Sequence, residues 1–352
     1  MYRLGRFLQV LFFVTLVLIE TPLMAARAPD TRDASASEVF GLRTAPLSPQ
    51  AQEDLNELED ALKDARKRGD AQGEAHAFRA IGLLNYSNER FEDALEAFSN
   101  SLALYRQLNA EVLTATELCE MASAYTALSM DQKALDAYKQ ALPMWHRLDR
   151  GREAATLGKI AEIFRRLRDG AEALRFDQAA LEGYTLVSDR GGQATVLNNI
   201  GLAYFAAGNK RKAVDYFQKA RSAYHDLSNL AGEATALNNI AVVYTASGDN
   251  IEALASFERE LDLTRKSKDR TVEAMTLNSI AVTYSRMGES LAAHKFYGQA
   301  ASIYHELGDR QAESRELTAL SLAIADAKRR GHKNTNTDEV LNACPEALPI
   351  VH

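Results

Sequence analysis

The sequence predicts an all-α solenoid of about seven helix–turn–helix units. Three observations predict it. The first is a period. A small residue that follows an apolar Ile, Met or Leu recurs as Gly82, Ala122, Ala161, Gly201, Ala241, Ala281 and Ser321, at steps of 40, 39, 40, 40, 40 and 40. Self-similarity at a fixed spacing over so much chain is the signature of a repeat architecture. The second is that each unit carries two apolar faces of helical period. The third is a helix-favouring composition, with abundant Ala and Leu and only 7 Pro in 352 residues.

Taken from the N-terminus, residues 1–28 read as a signal peptide. Arg3 and Arg6 provide a positive start, 7–19 an apolar core, and Ala26-Arg27-Ala28 a small-residue cleavage site. Cutting after Ala25 or Ala26 also fits. Three Arg and one Glu leave with this segment, moving the formal charge from −7 to −9. The apolar core is shorter than the roughly 20 residues that span a bilayer. An uncleaved anchor over 7–26 is the alternative. The expected location is therefore exported, periplasmic or extracellular, or else N-terminally membrane-anchored. An acidic chain without a basic stripe is a poor nucleic-acid binder.

Residues 29–47 are a flexible linker. Residues 48–70 hold a capping helix, with Ser48-Pro49 as N-cap and first-turn proline. Leu55, Leu58 and Leu62 follow at helical spacing, with Ala61 at a small position. The repeats fill 71–328, and 329–352 form a C-terminal tail.

Within a unit, Leu197, Ile200, Gly201 and Tyr204 share one face of the first helix at i, i+3, i+4 and i+7. Gly208, Gly248 and Gly288 end first helices as C′ glycines. Ala213, Phe217 and Ala220 form the matching face of the second helix. Asp70, Asn109, Asp149, Asp189, Asn229, Asp269 and Asp309 precede the first helices, where a side-chain oxygen caps free N–H groups. Asn85, Asp177 and Glu260 stand where the pattern calls for an aromatic, an aromatic and a small residue, and Pro143 should kink or shorten its helix.

The pattern of a large residue, I-G or I-A, then Tyr, Gly, Ala, Tyr/Phe and Ala resembles the tetratricopeptide repeat. The 40-residue unit is similar to those of kinesin light chain and of exported bacterial arrays attached to caspase-like peptidase domains. The run L-N-N-I before Tyr204 and Tyr244 is especially close to the latter. The resemblance implies a right-handed superhelix whose first helices line a concave groove. A caspase-like domain needs far more chain than the 24 residues after Lys328.

No phosphate loop, dinucleotide fingerprint, H-E-x-x-H or G-x-S-x-G occurs. The seven His are scattered, so no metal, cofactor or catalytic residue is expected. Cys119 with His76 is the one imaginable dyad, and a half-buried inert thiol is the favoured reading. Cys119 and Cys344 are expected unpaired.

On the groove-lining face, units one to three present charge and units four to six present amides. An Asn amide offers a donor and an acceptor together, so it satisfies one peptide unit of an extended ligand at two points. Asn199 and Asn239 match the position of asparagine ladders in related grooves, and Ser279 breaks the ladder. Asn198, Asn238 and Asn278 lie one residue earlier, toward side chains or the adjacent helix. The other reading has these amides bonded to a neighbouring helix or water. Phe205 adds an apolar contact, and Lys159, Arg165 and Arg166 are candidates for an acidic side chain or C-terminal carboxylate. The predicted function is a non-enzymatic scaffold or adaptor that holds a protein or peptide segment. The alternatives are the sensory half of a peptidase or signalling system, and a self-assembling structural solenoid.

Overall fold

The computed structural model describes residues 46–329. The expected signal peptide, most of the expected linker, the tail beyond Arg329 and Cys344 lie outside the described residues. Within them are fourteen helices and no strand. They are α1 (Pro49–Arg68), α2 (Ala71–Ser87), α3 (Phe91–Gln107), α4 (Glu111–Ala127), α5 (Asp131–Leu148), α6 (Arg150–Arg166) and α7 (Gly170–Leu186). After them come α8 (Arg190–Ala206), α9 (Lys210–Asp226), α10 (Leu230–Ser247), α11 (Asn250–Ser267), α12 (Arg270–Met287), α13 (Ser290–Glu306) and α14 (Arg310–Arg329). Each helix packs on the next, most heavily within a unit. The result is a solenoid whose stability is a sum of units and seams.

The predicted faces are the buried ones. Ile200, Ala213, Phe217 and Ala220 are fully buried, as are Ala94, Ala134, Ala173, Ala253 and Ala293 at the invariant second-helix position. The reason is close approach. A Cβ on Gly201 would meet the Phe217 ring at 2.6 Å, and one on Gly82 the Phe98 ring at 2.5 Å, so the backbones lie within ring thickness of each other.

Six of the seven predicted caps form. Asp70, Asp149, Asp189, Asn229, Asp269 and Asp309 each accept from the backbone N–H three residues on. Asn109 does not. It sits one residue early, with φ 52, and Ala110 holds the N-cap position without a side-chain bond. Asn109 instead turns the chain at the end of α3, a left-handed position that Asn tolerates and that Gly69 and Gly308 fill at other joints. Gly208, Gly248 and Gly288 end their helices at φ between 77 and 83, as predicted. The early end expected at Pro143 does not occur. The proline lies inside α5, which continues to Leu148. In α1, Leu62 and Ala65 are buried, while Ala61 is exposed. The leucine face is the expected one, with Leu55 and Leu58 half-buried, and Ala65 rather than Ala61 supplies the small contact.

Candidate functional site

The groove-lining positions fall two and three residues before the small packing residue of each first helix. In α8 these are Asn198 and Asn199, in α10 Asn238 and Asn239, in α12 Asn278 and Ser279. Ile200 is fully buried and Tyr204 packs against its cluster, while Leu197 is only half-buried and Asn198 is itself buried, so the amides lie beside this packing rather than wholly outside it. There the first helices of successive units touch directly, α6 with α8 and α8 with α10.

The structure joins two of the predicted residues. Asn239 Nδ2 donates to Asn198 Oδ1 at 2.9 Å, a bond between neighbouring units. It forms only where both halves exist. Asn199 would need a partner at Gly158 of α6, which has no side chain, and Asn238 would need one at Ser279. The Ser279 hydroxyl is instead turned to its own helix, donating to Met275 O. Asn199, Asn238 and Asn278 therefore make no side-chain hydrogen bond among the described residues. Asn198 and Asn238 are buried, and Asn199, Asn239 and Asn278 are half-buried. Phe205, also half-buried, packs with Leu202 and Tyr204 against the Phe217 cluster.

The three predicted cations are each engaged within the fold. Lys159 pairs with Glu162 at 3.1 Å, Arg165 with Asp177 at 2.5 Å, and Arg166 with Asp131 while donating to Thr126 O at 3.0 Å. Asp177 stands in an aromatic slot and is fully buried. Burial pushes its carboxyl up to about 6, with Arg165 opposing that rise. A buried acid in an aromatic slot implies a facing cation, and that inference was open to sequence reasoning. Replacing Arg165 with Met strands this acid. We expect a loss of about 2 kcal/mol at pH 8, since each pKa unit by which Asp177 rises costs about 1.4 kcal/mol. Thermal unfolding at pH 8 and pH 5 checks it. The loss should shrink at pH 5, where Asp177 is protonated, and an equal loss at both would contradict the pairing.

The imagined dyad does not form. His76 Nδ1 lies 2.9 Å from Tyr105 Oη, and Cys119 Sγ accepts from Trp145 Nε1 at 3.4 Å. Burial pushes the Cys119 thiol up, away from the reactive thiolate. Among the described residues, no group of three or more His, Cys, Asp or Glu is placed to hold a metal ion, and no helix is long and apolar enough to cross a membrane.

Comparison with known families decides what the array is. The tetratricopeptide repeat model matches residues 152–225 and 232–306. The matched units are tetratricopeptide repeats. Solved structures with this fold superpose over much of the chain. BtubC from P. vanneervenii, also called BKLC, has a TM-score of 0.55 at 18% identity, covering 63% of this chain and 93% of its own. Aspartyl phosphate phosphatase F from Bacillus subtilis gives 0.57 at 15% identity, with 74% and 73% covered. A signal transduction ATPase with a tetratricopeptide repeat sensor from Pyrococcus horikoshii gives 0.56 at 14%, with 88% and 47% covered. No curated protein sequence matches the chain. At such identities the structural neighbours establish the tetratricopeptide fold and nothing finer. The amide side of α8 and α10 is then the candidate binding face.

Proposed function

We propose that this tetratricopeptide array is an exported, non-enzymatic scaffold that holds an extended segment of another protein along its first-helix face. One observation carries the reading: the side chains of Asn199, Asn238 and Asn278 find no partner among the described residues, on either side of the Asn198–Asn239 bond. A half-buried amide keeps its hydrogen-bonding capacity only at a cost unless water or a ligand completes it. The bond between Asn198 and Asn239 fixes the second amide in place, so a ligand does not have to order it. Asn239 still offers its carbonyl oxygen, and Asn199 offers both ends of its amide. With Lys159, Arg165 and Arg166 engaged internally, the charge of the ligand matters less on this reading than its backbone.

Replacing Asn199 and Asn239 together with Ala is expected to weaken capture of such a segment by roughly 10- to 30-fold, at about 1 kcal/mol for each net hydrogen bond lost. Helicity should be unchanged, because neither residue packs the core. Ligands are first recovered by affinity capture from periplasmic or culture extract, then titrated against both chains by calorimetry. Wild-type affinity in the double variant removes the ladder.

A further inference from the structure

Unit one contains a second candidate site on a different face. In three other units an aromatic residue of the first helix stacks on one of the second: Phe164 on Phe176 at 5.5 Å, Tyr204 on Tyr216 at 5.4 Å, Tyr284 on Phe296 at 5.5 Å. The same two positions in unit one are Asn85 and Ala97. Both rings are missing at once. Tyr86 does not fill the space, because it packs edge-on to Phe91 with centroids 5.3 Å apart. What remains is a cleft of about 400 Å³ between α1, α2 and α3, lined by Asn85 and Ala97 with Leu55, Phe78 and Ile81. That volume falls in the range of roughly 300–1,000 Å³ usual for ligand pockets.

The cleft carries an unanswered polar group. Asn85 is only 4% exposed, its Oδ1 is sealed from water without a hydrogen-bond partner, and its side chain makes no other bond among the described residues. A buried amide left this way is unfavourable, and an incoming group that both donates and accepts relieves it at either end. Three cations of the rim are paired, Lys63 with Asp60, Arg66 with Glu74 and Arg90 with Asp93, and the acids Glu59 and Glu96 stand beside them. The two further acids disfavour an anion, and the sealed Asn85 amide is answered by a neutral group that donates and accepts. The cleft is open along one side, which admits a side chain still attached to its backbone.

We propose that unit one takes a tyrosine side chain of a partner segment, its ring filling the volume of the missing aromatic pair and its hydroxyl bonded to the Asn85 amide. A phenol is neutral, planar and both donor and acceptor, which indole and phenyl rings are not. This site goes beyond the amide face of α8 and α10 and stands or falls separately from it.

The test uses the full chain and the probes acetyl-Gly-Gly-Tyr-Gly-Gly-amide, its Phe analogue and N-acetyltyrosinamide, titrated by ligand-observed saturation-transfer NMR. The Tyr peptide should bind about tenfold more tightly than the Phe peptide, the factor that one hydrogen bond to a buried group supplies. It should also bind more tightly than the single capped residue. Asn85→Leu should abolish the preference for Tyr and leave the Phe peptide unchanged. Ala97→Phe, which restores a ring, should remove binding of all three. Equal binding of Tyr and Phe peptides by the unmodified chain, or no binding of either, overturns the proposal without any variant. Undiminished binding to a folded Ala97→Phe chain overturns it too. Equal binding of the single residue and the peptide overturns the partner segment as occupant and points to a free phenol.

Discussion

Truncating Phe217 to Ala is expected to destabilise the middle of the array by roughly 3–5 kcal/mol, the range for removing a fully buried aromatic ring. Phe217 is completely shielded from solvent. Its ring lies against Gly201 of the same unit and shares a cluster with Ala213, Ile240 and Val243, so it joins α8 and α9 to α10. The space cannot collapse easily. Gly201 is already as small as a residue can be, and the helix backbones are held apart by the other rings. Because a solenoid is bonded only to nearest neighbours, the damage should stay local. Hydrogen exchange monitored by mass spectrometry checks this. Amides of α8, α9 and α10 should lose protection in the variant, while those of α2 and α13 keep theirs. Unchanged protection in α8–α10 would contradict the role assigned to Phe217. Uniform loss along the whole chain would contradict the additive solenoid.

Much of this architecture was legible because repetition averages out local ambiguity. One copy of Leu197, Ile200, Gly201 and Tyr204 is a weak helical signal, and seven copies at one spacing leave a single reading. The caps were legible for the same reason, and the one miss has a physical origin. The step from unit two to unit three is 39 residues. An aligned column of Asp and Asn therefore drew in Asn109, whose actual work is the left-handed turn before Ala110. Pro143 does not end its helix early, because propensity treats a helix in isolation, whereas packing on both neighbours carries α5 past it. The site was less legible. Asn198, Asn199, Asn238 and Asn239 were identifiable by type and period. The bond between Asn198 and Asn239 joins residues 41 apart on different helices, and it depends on the stacking of units rather than on either helix. The pairing of Arg166 with Asp131 was hidden likewise. Asn85 stood out as a departure from the pattern. Its consequence appears only when the structure sets Ala97 across from it.

Raising the pH from 5 to 8 is expected to loosen three seams of the array, and this is the other large effect. Glu117, Glu260 and Glu316 are buried carboxyls, and both oxygens of Glu117, Oε2 of Glu260 and Oε2 of Glu316 accept no hydrogen bond. Glu117 and Glu316 occupy the same place in units two and seven, five residues before the small residue, and Glu260 fills the last small position of unit five. Burial pushes them up to about 7, about 8 and about 7 respectively. Arg79 opposes the rise at Glu117, 3.5 Å away, and Arg315 opposes it at Glu316. A carboxyl whose folded pKa lies above its usual 4.5 stabilises the fold fully below 4.5 and loses that contribution as pH climbs through the folded value. Each group then costs about 1.4 kcal/mol for every pH unit crossed inside its window. His294 runs the other way, since burial lowers its pKa and acid is what charges it, but it is one group against these three and Asp177, which burial also raises. Glu153 and Glu273 are lowered by basic partners and lose stability only in acid below the window. Hydrogen exchange should therefore quicken between pH 5 and 8 at α3–α4, α11–α12 and α13–α14, after correction for intrinsic rates. Glu260→Gln should flatten the pH dependence at α11–α12 and leave α13–α14 untouched, because an amide cannot ionise and the two seams share no residue. A pH profile that stays the same in Glu260→Gln would show that the buried acid of unit five is not what titrates.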